Sequence, residues 1–245
     1  MTVLGVDIGG SGIKAALVDV EKGVLVTERE RVKTPKPSSP EAVGEVVRQL
    51  HKRFDGPERV GICFPAVVRH GVTLSAANVD DSWIGAPARE IFSRILGVEV
   101  AMLNDADAAG IAEEKFGAAA DHDGVVLLLT LGTGIGSALI VDGRLVPNTE
   151  LGHLELDGHD PVESWASSKV RKTEQLSYEE WGPRVGVLLR HLDMLFSPDL
   201  FIIGGGISKK FHRFSEFLGT DPPVVPATMG NQAGIVGAAM AATQT

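Results

Sequence analysis

One unit occurs twice in this chain and limits what it can fold into: an apolar strand, a glycine-rich turn, and a second strand. The first copy is Val6-Asp7-Ile8-Gly9-Gly10-Ser11-Gly12-Ile13-Lys14, and the second is Leu129-Thr130-Leu131-Gly132-Thr133-Gly134-Ile135-Gly136-Ser137. A third apolar run, Leu200 to Ile203, enters Gly204-Gly205-Gly206. The first two turns lead into strands rather than helices. That excludes a dinucleotide fingerprint, in which a helix must follow, and no turn has the Lys-Ser/Thr spacing of a Walker A loop. The repetition predicts two related α/β lobes with a cleft between them.

The rest of the chain reads around these turns. Strands are expected at 3–8, 13–19, 24–29, 60–64, 98–103, 125–131, 137–141 and 200–203. Ser39-Pro40-Glu41 marks a helix start, since Pro is tolerated in the first turn, where its missing N–H has no intrahelical partner. Ala42, Val43, Val46, Val47 and Leu50 give that helix an apolar stripe. Further helices are expected at 86–96, 106–115, 178–196 and 234–242. Val185, Leu188, Leu189, Leu192 and Leu195 are expected to share the buried side of the long one.

A length of 245 residues allows one large domain or two small lobes. The net charge of -9 argues against a nucleic-acid partner, while leaving room for a local basic patch. Cys63 is the only cysteine, so no intramolecular disulfide or Cys-rich metal site is possible. Its apolar neighbours mark it as a core residue. The N-terminus opens into a strand pattern without a signal-peptide profile, and no run is long enough to span a membrane. A cytoplasmic enzyme is expected.

Glycine lets backbone approach a ligand closely, and successive N–H groups in such turns converge on anions. Gly9, Gly10, Ser11, Gly12, Gly132, Thr133, Gly134, Gly204 and Gly205 are therefore candidate phosphate-binding positions. Asp7 lies inside an apolar strand, where a carboxylate is costly unless it is paired or meets a cation. It is the candidate Mg2+ ligand, directly or through water. Lys14 is either a phosphate ligand or a surface lysine.

Asn104-Asp105-Ala106-Asp107 joins a strand to a helix. Asp105 reads either as the helix N-cap or as a general base. Asn104 would bind a neighbouring hydroxyl, and Asp107 would cap or face solvent. Glu150, His153 and Glu163 would supply the donors and acceptors that a hydroxyl-rich ligand requires. His159 and Asp160 read as loop surface. Lys169, Arg171 and Lys172 form a compact basic patch, either a solvated helix face or a contact for a long anion. Lys209 and Lys210 add a second basic spot after the third glycine turn.

In this order the motifs resemble those of the ROK family of sugar kinases, repressors and open reading frames, and within it the glucokinases that use polyphosphate. Asp7 to Lys14 resembles the first phosphate motif, Leu131 to Gly136 the second, and Gly204 to Ser208 the adenosine motif. Asn104-Asp105 resembles the substrate-and-base motif, and Glu150-Leu151-Gly152-His153 the family's Glu-x-Gly-His signature. The resemblance implies an actin-like ATPase (ribonuclease H-like) fold with sugar in the cleft. Residues 1–105, completed by 231–245, would form one lobe and 106–230 the other.

It further implies Asp105 as the base, and Asn78, Asn104, Glu150, His153 and Glu163 as sugar ligands. Glucose is the expected substrate, Mg2+ the cofactor, inorganic polyphosphate or ATP the donor, and a homodimer the usual assembly. The Cys-rich zinc motif of many relatives is replaced by the shorter, cysteine-free stretch 154–162, so no structural zinc is expected. Three other readings compete: a strictly ATP-dependent hexokinase, a phosphatase or ATPase of the actin-like group, and a sugar sensor. The Glu150/His153/Glu163 set weighs against the phosphatase or ATPase, and intact Asp7 and Asp105 against the sensor.

Overall fold

The computed structural model of the chain describes residues 1–243, so the end of the expected segment 231–245 lies outside the described residues. The chain divides into two compact units: Met1–Ala112 together with the chain from Gln232 onward, and Glu113–Asn231. Among the described residues, no helix is long and apolar enough to cross a membrane.

In the first unit, β1 (Thr2–Gly9) and β2 (Gly12–Asp19) form an antiparallel hairpin through the first glycine turn. Its register sets Asp7 opposite Lys14 and Gly9 opposite Gly12. Of the expected strand 24–29 only β3 (Val24–Leu25) forms; a separate short strand, β4 (Glu30–Val32), begins just after the expected range, and both pair with β2. The physical reason for the break is local. The Thr27 hydroxyl accepts the Leu17 N–H, a ladder position a strand carbonyl would otherwise fill.

Helix α1 (Pro40–Arg53) is capped by Ser39, whose side chain accepts from Ala42 N. Strand β5 (Arg59–Phe64) then adds to β1 in parallel. A small hairpin, β6 (Val68–Arg69) with β7 (Val72–Thr73), precedes α2 (Ala88–Leu96). β8 (Glu99–Asn104) adds in parallel to β5, and α3 (Asp105–Phe116) follows it directly. Val43, Val47 and Leu50 of α1 join Phe64, Trp83 and Phe92 in the core on one side of this sheet.

In the second unit, β9 (Val125–Leu131) and β10 (Ile135–Val141) form the second glycine-turn hairpin. β11 (Arg144–Val146) extends it on one edge. Helices α4 (Glu163–Ala166), α5 (Ser168–Thr173) and α6 (Tyr178–Phe196) follow. β12 (Leu200–Gly204) and β13 (Val224–Pro226) then complete the sheet in parallel with β9. A capping box between Ser177 and Glu180 starts α6. Its Trp181, Val185, Leu188, Leu189 and Leu192 fill the core, but Leu195, expected with them, is 53% exposed. The stripe continues instead through Phe196, one turn after Leu192, which packs against the same core.

The two sheets share one strand order: β3-β2-β1-β5-β8 and β11-β10-β9-β12-β13. In each, the central strand, β1 or β9, pairs antiparallel with the strand that follows it and parallel with β5 or β12. The chain closes with α7 (Ala233–Ala241), which packs into the first unit. Its small residues are buried on all sides, and they seat against glycines. A Cβ on Gly5 would collide with the Ile235 carbonyl oxygen, one on Gly61 with that of Ala238, and one on Gly237 with that of Ala108. This close approach buries α7 without bulky side chains.

Candidate active site

In the first unit, chemistry-bearing residues collect at the carboxyl ends of the parallel strands β1, β5 and β8, where open α/β sheets place ligands. Asp7 pairs in register with Cys63, and Phe64 with Asn104. Asp7 accepts a 2.6 Å hydrogen bond from Lys14 Nζ, so the buried-side carboxylate expected to need a cation has one. Burial holds the Cys63 thiol well above its ordinary pKa, and the nearby charges of Asp7 and Asp105 push it the same way. Its Sγ is 3.4 Å from the Gly234 carbonyl oxygen. Cys63 is therefore an inert core thiol lying within electrostatic reach of both carboxylates.

The cap of α3 is Asn104 rather than Asp105. The Asn104 Oδ1 accepts from Ala106 N at 2.7 Å and Asp107 N at 3.2 Å, and its Nδ2 donates to the Ala66 carbonyl at 3.1 Å. Asp105 is exposed and accepts from Ala106 N at 2.9 Å. Asp107, expected to cap or face solvent, is buried, because its position on α3 turns it inward.

Glycine has a specific reason at the first turn. A Cβ on Gly10 would lie 2.7 Å from the Asn78 carbonyl oxygen, so only glycine lets the Asn78 segment approach. Two residues not singled out in the sequence also reach this turn. Arg31 donates to the Ser11 carbonyl at 3.3 Å, and the Thr34 hydroxyl donates to the Gly9 carbonyl. Arg31 pairs with Lys14 across β4 and β2, so the signal lay in strand register, which the misread third strand concealed.

In the second unit, His153 lies between two carboxylates. Its Nδ1 is 3.8 Å from Glu150 and its Nε2 is 3.9 Å from Glu163. Burial raises the Glu150 carboxyl above its ordinary range; His153 counters this, and Glu163 adds to it. Glu163 accepts the Ile135 N–H at 2.8 Å and lies where any Cβ at Gly134 would intrude. Similarly, a Cβ at Gly152 would strike the Ile135 carbonyl oxygen. The glycine of Glu-x-Gly-His therefore lets that segment lie directly on the second glycine turn.

His159, expected as loop surface, stacks on Trp165 with ring centroids 4.4 Å apart. The hairpin 156–159 folds it back, with reciprocal 2.9 Å backbone bonds between Leu156 and His159.

A cavity of about 560 Å³ opens beside the second glycine turn. Gly132, Thr133 and Gly206 form part of its wall. Lys169, Arg171, Lys172 and Lys210 also line it, and no carboxylate does. α5 supplies three of these four cations, and the turn after Gly206 supplies the other. Lys209, Gly134, Gly204 and Gly205 do not line this cavity. Gly205 instead holds a left-handed φ of 79° that releases the chain from β12.

The ROK family model matches residues 3–166. The chain belongs to the ROK family. A polyphosphate glucokinase of Mycobacterium leprae is 48% identical over 98% of this chain and 74% of its own. An inorganic polyphosphate/ATP-glucomannokinase from Arthrobacter sp. strain KM superposes with a TM-score of 0.94, at 48% identity over 100% of this chain and 99% of that one. A ROK family glucokinase from Streptomyces griseus, solved with glucose and AMPPNP, superposes with a TM-score of 0.86, at 27% identity over the whole of both chains. The α/β fold is thus the actin-like ATPase (ribonuclease H-like) fold of the ROK sugar kinases, and the chain is a kinase acting on a sugar hydroxyl.

Proposed function

We propose that this ROK kinase transfers the terminal phosphoryl group of inorganic polyphosphate to the 6-hydroxyl of glucose, with ATP as a second donor. The observation that carries the reading is the cavity at the second glycine turn, where four cations and no carboxylate line one wall set. An extended polyanion needs such a surface. Near-full-length similarity to a polyphosphate glucokinase and a polyphosphate/ATP-glucomannokinase supports the same donor and acceptor.

In this reading Asp105 accepts the 6-hydroxyl proton as that oxygen attacks the terminal phosphorus. A new P–O bond forms to the sugar, the P–O bond to the next phosphate breaks, and the shortened chain leaves with the electron pair. Positioning carries most of the catalysis in such a transfer. Glu150, His153 and Glu163 bind sugar hydroxyls, with Asn78 and the remaining N–H of the Asn104 amide. Gly9, Gly10, Ser11, Gly12 and Lys14 face the transferring phosphoryl group, Gly132 and Thr133 meet the donor at the cavity wall, and Gly134, Gly204 and Gly205 shape the turns behind that wall. Lys169, Arg171, Lys172 and Lys210 bind the chain, and Lys209 attracts it from outside the cavity.

Among the described residues, no group of three or more His, Cys, Asp or Glu side chains is placed to hold a metal. A single carboxylate nevertheless fits Mg2+, which keeps several waters and is bound largely by substrate phosphates. Asp7 is the residue that would hold it, and the ion would neutralise charge on the phosphoryl oxygens. A cytoplasmic location and a homodimeric state complete the proposal, on the family resemblance.

Asp105→Asn tests the chemistry. Turnover should fall by about 10²- to 10⁴-fold, while glucose binding measured by calorimetry persists. Wild-type turnover in that variant would remove Asp105 from the role of base.

A further inference from the structure

The donor cavity contains a feature that packing does not explain. Tyr178 begins α6, lines the cavity and is only 8% exposed. Its ring is fully employed. It stacks near Phe214 at 6.1 Å, meets Trp181 edge-on at 6.4 Å, and lies under two guanidinium groups, Arg171 at 4.4 Å and Arg213 at 4.5 Å. Phenylalanine could make all four contacts. The hydroxyl makes none of them: Tyr178 Oη is buried and has no hydrogen-bond partner among the described residues. Arg171 repeats the pattern. Its Nη1 donates to the Leu176 carbonyl at 3.1 Å, but its buried Nε has no partner among the described residues. Buried donors are normally satisfied, and an unmet one carries a desolvation cost.

Both orphan donors belong to residues lining one cavity, and the other charged residues of that cavity are Lys169, Lys172 and Lys210. The ligand that matches two unmet donors amid cations is an anion rich in acceptor oxygens. We infer that the Tyr178 hydroxyl and Arg171 Nε are built to donate to phosphoryl oxygens of the bound donor, so that Tyr178 selects and seats a condensed phosphate chain. This rests on the donor reading above. Arg213 does not line the cavity; it is a positioning residue that holds the Tyr178 ring beneath Arg171.

Tyr178→Phe isolates the hydroxyl and keeps every ring contact. The probe is tripolyphosphate, titrated by calorimetry into the full chain, alongside thermal unfolding with and without it. Tripolyphosphate affinity should fall about 10- to 100-fold, the loss of one hydrogen bond to a charged acceptor. Glucose affinity, measured without donor, should stay at the wild-type value. The ligand-free variant should unfold at the same temperature as wild type or higher, since an unmet buried hydroxyl is gone, yet gain less from tripolyphosphate. A purely structural tyrosine gives the opposite: lower unligated stability and unchanged affinity. Unchanged tripolyphosphate affinity in the variant overturns the role of Tyr178 alone. No tripolyphosphate binding by the wild-type chain overturns the donor reading and this inference with it.

Discussion

At the level of single residues, the site is defined by carboxylates whose surroundings differ. Asp7 is paired with Lys14, Asp105 is exposed, and Glu150 is pushed up by burial. The shift at Glu150 has a definite sign. A carboxyl whose pKa is raised on folding costs nothing below its ordinary pKa and removes stability as the pH rises through the raised value. Glu150→Gln lacks that titration. In urea unfolding across the acid-to-neutral range, the variant should gain on wild type as pH rises through that window, and the difference should then level off. Its KM for glucose should rise about 10-fold or more, as a buried hydroxyl loses its charged acceptor. Parallel stability profiles at all pH values would refute the burial argument. The sequence exposed these residues because charge inside glycine-rich or apolar context is costly. It did not reveal which of Asn104 and Asp105 caps α3, because both side chains suit the role and only geometry separates them.

At the level of elements, the strands and helices that matter were readable wherever the pattern was long and regular. α1 and α6 follow their stripes and caps, and β1, β5, β9 and β12 their apolar runs. The failures have local causes. A side-chain hydroxyl interrupts the strand expected at 24–29, and on α6 Phe196 rather than Leu195 carries the stripe on against the core. The closing helix was recognised from its small residues, but the reason for their size was not. It lies in Gly5 and Gly61, which give up side chains so that α7 can lie directly on β1 and β5. Gly61→Ala would drive a methyl into the Ala238 carbonyl and should destabilise the protein by about 1–3 kcal/mol or more, read as a lower urea midpoint. A neutral substitution there would show that α7 can shift without cost.

At the level of the whole molecule, one topology is used twice, with the same strand order and the same glycine-turn hairpin at its centre. The first copy carries Asp7 and, at the end of its last strand, Asn104 and Asp105; the second carries the Glu150/His153/Glu163 set and the cationic cavity. The duplication was visible in the sequence as two glycine turns of similar pattern. Convergence of Lys169, Arg171, Lys172 and Lys210 on one cavity was not, because α5 and the turn after Gly206 are far apart along the chain. That convergence matters in a protein of net charge -9, where a local cationic wall supplies an attraction that the overall charge opposes.

The measurement that bears most directly on the central claim is glucose 6-phosphate formation with Mg2+, comparing inorganic polyphosphate with ATP at equal phosphoryl concentration. Faster turnover with polyphosphate is the predicted result. Turnover with ATP alone would contradict it, and would return Lys169, Arg171, Lys172 and Lys210 to the role of a solvated surface.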